Sequence, residues 1–178
     1  TLDQSYPAEL VTIWVHDSAS TDRTLQIATG RATRDPRIHL VTTDRRITLP
    51  AALNDLLALG SGELVARVDG HSLPDVDFLR RAVEAFHEAD ADVAGVGGRR
   101  RLVGETRFAR AAAVARCSRF GVGASDAASR GERGEVATIG GAIYRRSALA
   151  AVGGFDPHMR HAEDEEVNWR LRRAGYRL

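Results

Sequence analysis

The stretch Gly62–Gly97, GELVARVDGHSLPDVDFLRRAVEAFHEADADVAGVG, decides how the chain folds. Glu63–Val68 is short, apolar and β-branched and stops at Asp69-Gly70, which predicts a strand ending in a turn. Pro74 suits the start of a helix, because its missing N–H would have no intrahelical partner there. The pattern from Asp75 to Ala89 predicts that helix, and Asp92–Gly97 predicts the next strand. A strand, a crossover helix and a second strand make one βαβ unit, which implies parallel strands.

The same alternation continues upstream. Glu9–His16 predicts a strand, Thr21–Arg31 a helix and Arg37–Thr42 a second strand. Leu49–Leu59 predicts a helix stopped by Gly60 and Gly62. The whole therefore reads as an α/β, Rossmann-like domain, a mostly parallel sheet with helices on both faces. In such sheets ligands bind beyond the carboxyl ends of the strands, so Asp17 and Asp69 are expected near one crevice. Downstream the rhythm loosens. Thr106–Arg119 is helix-like, Gly121–Gly134 has the composition of a loop, and Val136–Tyr144 is a strand candidate broken by Gly140-Gly141. Ser147–Val152 predicts a short helix, Gly153-Gly154 a turn, and Glu163–Ala174 a helix closed by Gly175. Both ends read as cut. Thr1–Ala8 is polar where a doubly wound sheet begins with a strand, and Tyr176–Leu178 resembles a strand just starting. Residues 1–178 are thus expected to be one catalytic domain, truncated at both ends and lacking its first strand and its C-terminal part.

Bulk composition excludes several classes. The 178 residues suffice for one domain with a real core. Hydrophobic residues are 43% and charged residues 28%, as in ordinary globular proteins. The formal net charge of +1 gives no electrostatic argument for nucleic acid as a partner. All 25 basic residues are Arg, which suits paired hydrogen bonds to phosphate but also follows from codon bias. The single cysteine, Cys117, excludes an intrachain disulfide and a cysteine metal site and reads as a packing residue. No apolar run approaches the ~20 residues that span a bilayer.

Three segments carry candidate chemistry. Asp69 and His71 stand two apart after a strand and could together reach one divalent cation; taken alone, Asp-Gly-His reads as readily as a turn. Glu163-Asp164-Glu165-Glu166 opens a helix, where the dipole favours acids by about 0.3–1 kcal/mol each with no function implied. A carboxylate there could also act as a general base. Asp17–Thr24 (DSASTDRT) offers helix capping through Ser20 or Thr21, or contact to a nucleotide from a strand-end loop.

In order and spacing these segments resemble the family 2 glycosyltransferases, inverting enzymes of the GT-A fold. Asp17–Thr24 resembles D-D-G-S-T-D-x-T, with Ser18 and Ala19 departing. Leu53-Asn54, Gly62-Glu63 and Arg67–Ser72 (RVDGHS) resemble the A-L-N … G-E … R-x-D-x-H pattern. Ile139–Arg146 and Val152–Asp156 resemble G-x-x-x-R-R … G-G-F-D, and Glu163–Tyr176 resembles E-D-x-E-L-x-x-R-L-R-x-A-G-Y. Arg67–Ser72 and Gly97–Phe108 point to the succinoglycan, exopolysaccharide-forming type.

The resemblance implies a hexosyltransferase that moves sugar from a nucleoside-diphosphate sugar, with a UDP-sugar favoured, to a saccharide or polyprenol-linked acceptor. Asp164 would be the general base with Glu163 beside it. Asp17 would contact the donor base, Asp69 the ribose and diphosphate, and His71 with Asp69 would hold Mg2+ or Mn2+. Gly140 and Gly141 would admit the sugar or acceptor, and Asn54 would support the donor loop, a capping or packing role being equally open. The full-length protein would work in the cytoplasm at the inner face of the cell membrane. Competing expectations are a nucleotidyltransferase acting on a sugar phosphate, which the Glu163-Asp164 helix disfavours, and a non-catalytic binding remnant, which the retained Asp69, His71 and Asp164 disfavour.

Overall fold

The computed structural model describes residues 2–98, 103–117 and 134–178. After a 3-10 turn at Ala8–Leu10 the elements run β1 (Ile13–Ser18), α1 (Thr24–Ala32), β2 (Ile38–Thr43), α2 (Leu49–Leu59), β3 (Leu64–Ala66) and α3 (Phe78–Glu88). Then follow β4 (Gly95–Val96), α4 (Arg107–Cys117), β5 (Ile143–Arg145), α5 (Arg146–Ala151) and α6 (Glu163–Arg173). The last residues of the expected 106–119 helix and most of the expected 121–134 loop lie outside the described residues.

The class is α/β as read from the alternation, but the strands form two groups. β1 and β2 pair in parallel, Ile13 opposite Ile38 through Ser18 opposite Thr43. β3, β5 and β4 form a three-stranded sheet in that order, with β5 antiparallel to both neighbours. β3 and β4, joined by α3, run the same way as a βαβ unit should, but with one position open between them. β5 arrives after a long connection and fills that position from the other direction.

Successive residues of β5 face opposite sides of the sheet, as the strand period requires. Tyr144 enters one core with Ala94, Ile139, Leu149, Phe155, Val167, Leu171 and Leu178, against which Leu53 and Leu57 of α2 pack. Ile143 enters the other, with Ala82 and Phe86 of α3. This sheet therefore carries helices on both faces. β4 lies close beneath its neighbours: a Cβ on Gly95 would sit 2.7 Å from Ile139 Cδ1 and 2.8 Å from Tyr144 Cδ1.

Element ends follow local chemistry where it is strong. Thr48 caps α2 by accepting from the Ala51 N–H at 3.4 Å, and Gly60 stops it. α6 ends in a Schellman motif: Gly175, at φ +90, donates to Arg172 and Tyr176 donates to Leu171. The chain then rejoins the fold, with Arg177 bridged in parallel to Val93. Of the starts that differ from expectation, those of β1 and α3 have a visible cause. Residues 8–10 close a 3-10 turn behind Pro7, so β1 begins at Ile13 and Asp17 lies inside it. α3 begins at Phe78 rather than Asp75. Gln4 bonds the Asp75 carbonyl and the Leu79 N–H, and Ser5 bonds Val76 and Asp77, which holds residues 75–77 in a turn.

Candidate active site

The site is assembled around Arg67, the residue just past β3. Its N–H donates to the Ala142 carbonyl at 3.1 Å, extending the β3–β5 pairing by one residue. Its side chain is mostly buried and reaches two carboxylates. Nε donates to Asp69 Oδ1 at 2.9 Å, and Nη2 pairs with Glu163 Oε1 at 2.7 Å. Nη1 is buried with no protein partner among the described residues. Burial works against the Arg67 charge, but the bonds to Asp69 and Glu163 outweigh it and hold the guanidinium more firmly protonated than usual. The strand-end loop and the acidic helix are thus joined by one shared cation.

Glu163 and Asp164 open α6. The residue at the helix cap, Ala162, has φ +58 and makes no side-chain cap. Glu163 is buried and turned toward Arg67. Asp164 is half-buried, and its Oδ1 accepts the Glu165 N–H at 3.0 Å. One turn further, Asn168 is fully buried. Its Oδ1 accepts from the Tyr144 hydroxyl at 2.9 Å, and its Nδ2 donates to Thr138 Oγ1 and to the Ile139 carbonyl, each at 2.9 Å. Burial, and then the Asp164 charge, push the Tyr144 hydroxyl far above its usual value, so it stays a proton donor. Asn168 thereby fastens the segment leading into Gly140-Gly141 onto the same helix as Asp164. Gly141 sits at φ +59, with no atom within 4 Å of the place a Cβ would take.

The Gly153-Gly154-Phe155 turn is clamped from two sides. Asn54 accepts the Phe155 N–H at 2.9 Å and donates to the Phe155 carbonyl at 2.7 Å. Arg170, paired with Glu166, reaches the carbonyls of Val152 and Gly154. Both ends of the Asn54 amide are therefore engaged by main chain. Asn54 thus supports the turn through Phe155, in keeping with the packing role left open for it beside support of a donor loop.

Asp17 is buried within β1, and its Oδ2 accepts the Ser20 N–H at 3.2 Å. Its Oδ1 is buried without a protein partner among the described residues. Helix capping at Ser20 or Thr21 is not what forms: the Asp22 carboxylate takes the Thr24 N–H at 2.9 Å, and the bonds to Thr24 hold that carboxyl below its usual range. Ala19, where the resembled pattern has glycine, adopts φ +52.

His71 is exposed on the turn closed by the Ser72 N–H on the Asp69 carbonyl at 2.9 Å. Among the described residues no three His, Cys, Asp or Glu side chains cluster for a metal ion. A carboxylate and an imidazole at one turn still suit Mg2+ or Mn2+, which complete a small protein set with phosphate oxygens and water. No described helix is long and apolar enough to cross a membrane.

Sequence reasoning quoted Arg67 and Asn168 within the motifs but assigned them no role. For Arg67 the available signal was its position: two residues before Asp69 on an extended segment, it lies on the same side.

Comparison with known proteins bears on the family and the fold. The model of the family described as glycosyl transferase family 2 matches residues 1–153. The chain is 36% identical over 166 residues to the succinoglycan biosynthesis protein ExoA of Rhizobium meliloti (strain 1021), covering 92% of this chain and 49% of that protein. Over 117 residues it is 27% identical to the dolichyl N-acetyl-alpha-D-glucosaminyl phosphate 3-beta-D-2,3-diacetamido-2,3-dideoxy-beta-D-glucuronosyltransferase of Methanococcus voltae, covering 63% of this chain and 36% of that one. The chain thus spans half or less of the length of these curated relatives. Among solved structures, the mannosyltransferase PcManGT from Pyrobaculum calidifontis, in complex with GDP-Man and Mn2+, superposes with TM-score 0.73 at 28% identity, covering 98% of this chain and 46% of that one. S. aureus TarS 1-349 in complex with UDP-GlcNAc superposes with TM-score 0.63 at 18% identity, covering 95% and 46%, and speaks for the fold alone.

Proposed function

The chain belongs to glycosyl transferase family 2 and has the GT-A fold, and from that premise we propose that it is the catalytic core of an inverting glycosyltransferase of bacterial polysaccharide biosynthesis. The donor is a nucleoside-diphosphate sugar, with a UDP-sugar favoured, and the acceptor a saccharide or polyprenol-linked saccharide. In the full-length protein the reaction takes place at the cytoplasmic face of the membrane, where such an acceptor is presented. The observation that supports this reading best is the Arg67 bridge. It brings the Asp69 loop, suited to a diphosphate, against the first turn of α6, which carries a half-buried carboxylate suited to a base.

Each side chain then has a task. Asp17 presents its unpartnered Oδ1 to an N–H of the donor base. Asp69 and His71 hold Mg2+ or Mn2+, which when bound offsets the charge that grows on the leaving diphosphate. Gly141, with open space where a side chain would stand, lets sugar or acceptor approach the main chain. Asp164 takes the proton from the acceptor hydroxyl as its oxygen bonds to the anomeric carbon. The bond from that carbon to the diphosphate oxygen breaks on the opposite face, so configuration inverts. Glu163, buried and paired with Arg67, is committed to holding that guanidinium rather than to taking the proton.

The test is nucleoside diphosphate release by the full-length protein with Mn2+ across a panel of nucleotide sugars. Loss of a general base should lower release by about 10²–10⁴-fold in Asp164→Asn. No release from any donor, or undiminished release by that variant, refutes the proposal.

A further inference from the structure

We infer that Arg67 is a positioning residue for sugar transfer: it holds the Asp69 loop and the first turn of α6 at one separation. This rests on the function proposed above. Three observations carry it. First, Arg67 is itself anchored, because its main chain continues the β3–β5 pairing into Ala142. Second, the two carboxylates it grips come from different elements, one on the loop after β3 and one on α6. Third, α6 lacks the ordinary device for fixing a first turn. Ala162 lies in the left-handed region and offers no side-chain cap, while four acids, Glu163 to Glu166, crowd the turn behind it. Of these, Glu163 is turned inward, and without Arg67 it would be a buried carboxylate with its counter-charge gone.

A purely stabilising ion pair is the weaker explanation. Buried ion pairs are often matched or bettered by apolar residues of similar volume, so stability alone does not call for one. An apolar pair could fill the same space between β3 and α6, but it could not also hold Asp69. Only a planar fork with several donors bonds two carboxylates in set directions, and a lysine ammonium is a point charge that cannot reproduce this. The geometry that results sets the distance from leaving group to base, and misplacement of reacting groups by about 1 Å costs on the order of 100-fold in rate.

The experiment uses the full-length protein with Mn2+ and the nucleotide sugar that supports release. Arg67→Met should lower kcat by about 100-fold, with the donor KM changed less than about threefold. Arg67→Lys, which keeps the charge but grips one carboxylate at a time, should fold and lose about tenfold in kcat. Combining Arg67→Met with Glu163→Gln should lose no more than Arg67→Met alone, because both act through one contact. Multiplied losses, full activity in Arg67→Lys, or a change confined to KM overturn the inference. Amide hydrogen exchange gives a readout independent of turnover: residues 166–167, where the backbone bonds of the first turn begin with the Glu166 N–H on the Ala162 carbonyl, should exchange at least about tenfold faster in Arg67→Met, with α3 unchanged. Unchanged protection in those residues overturns the tie. Absence of release by the unsubstituted protein from every donor would instead remove the proposed function, and the exchange measurement would still decide whether Arg67 holds the turn.

Discussion

Replacing Asn168 with leucine should destabilise the chain by about 3 kcal/mol, and the figure can be built from individual groups. Asn168 is fully buried and bonds the Tyr144 hydroxyl, Thr138 Oγ1 and the Ile139 carbonyl. Leucine shares the branched shape and is bulkier, so it excludes the water that would otherwise enter and satisfy these groups. The Thr138 hydroxyl is exposed and can turn to solvent. The Tyr144 hydroxyl and the Ile139 carbonyl belong to residues 2% and 7% exposed and cannot. Two orphaned groups at about 1–3 kcal/mol each give about 4 kcal/mol. The added apolar burial returns about 1 kcal/mol. Adding Tyr144→Phe removes one orphan and should restore about 1–2 kcal/mol, although each substitution alone is destabilising. Equilibrium urea unfolding of the 178-residue chain measures all three variants, with the slope expected to stay constant. A loss below about 1 kcal/mol in Asn168→Leu, or no recovery in the double variant, would refute the reasoning.

Other outcomes follow from the same contacts. Gly154→Ala should lower stability by about 2–3 kcal/mol, from left-handed strain plus a displaced hydrogen bond, because its φ is +74 and the new Cβ would stand 2.6 Å from Asn54 Oδ1. Gly141→Ala, left-handed but with open space, should lose only about 1–2 kcal/mol; equal losses at the two sites in thermal unfolding would contradict this. The Arg177 guanidinium, hydrogen-bonded to Asp92, holds that carboxyl below its ordinary 3.8. A carboxyl lowered in the folded state stabilises above its unfolded value and loses that contribution as pH falls through the folded one. Asp92→Asn should therefore be slightly less stable than the unsubstituted chain near neutrality, and the two thermal midpoints should converge as pH falls below 3.8. A gap that persists under acid conditions would show that the pair is not its origin.

Much of the architecture was legible because it is encoded locally. The bounds of α2 came out as read, since Thr48, Pro50 and Gly60 act within a turn of their own positions. α6 and its Gly175 stop are of the same kind. The start of α3 was misplaced by three residues because Gln4 and Ser5, more than seventy positions upstream, claim its first turn. β5 was read as part of a longer Val136–Tyr144 strand, and its direction was invisible, because direction depends on which slot of the sheet remains open.

The site divides along the same line. Asp17, Asp69, His71, Glu163 and Asp164 stand out in sequence because each sits in a short motif whose residue types suit nucleotide, metal or proton chemistry. Their division of labour does not. For Asn54 the sequence left loop support, capping and packing open, and the fold shows its amide bonded to Phe155, 101 residues away. Glu163 and Asp164 are neighbours of like charge in the same helical turn, and only the packing of α6 turns the first toward Arg67 and leaves the second half-exposed. By itself the sequence determined the α/β class, most helix ends and the list of acids at strand and helix ends, since propensity, capping and periodicity act over a few residues. Which of those acids share one cation was decided by the tertiary structure. A guanidinium bonds whatever carboxylate the packed backbones bring within about 3 Å, and no local pattern records that distance.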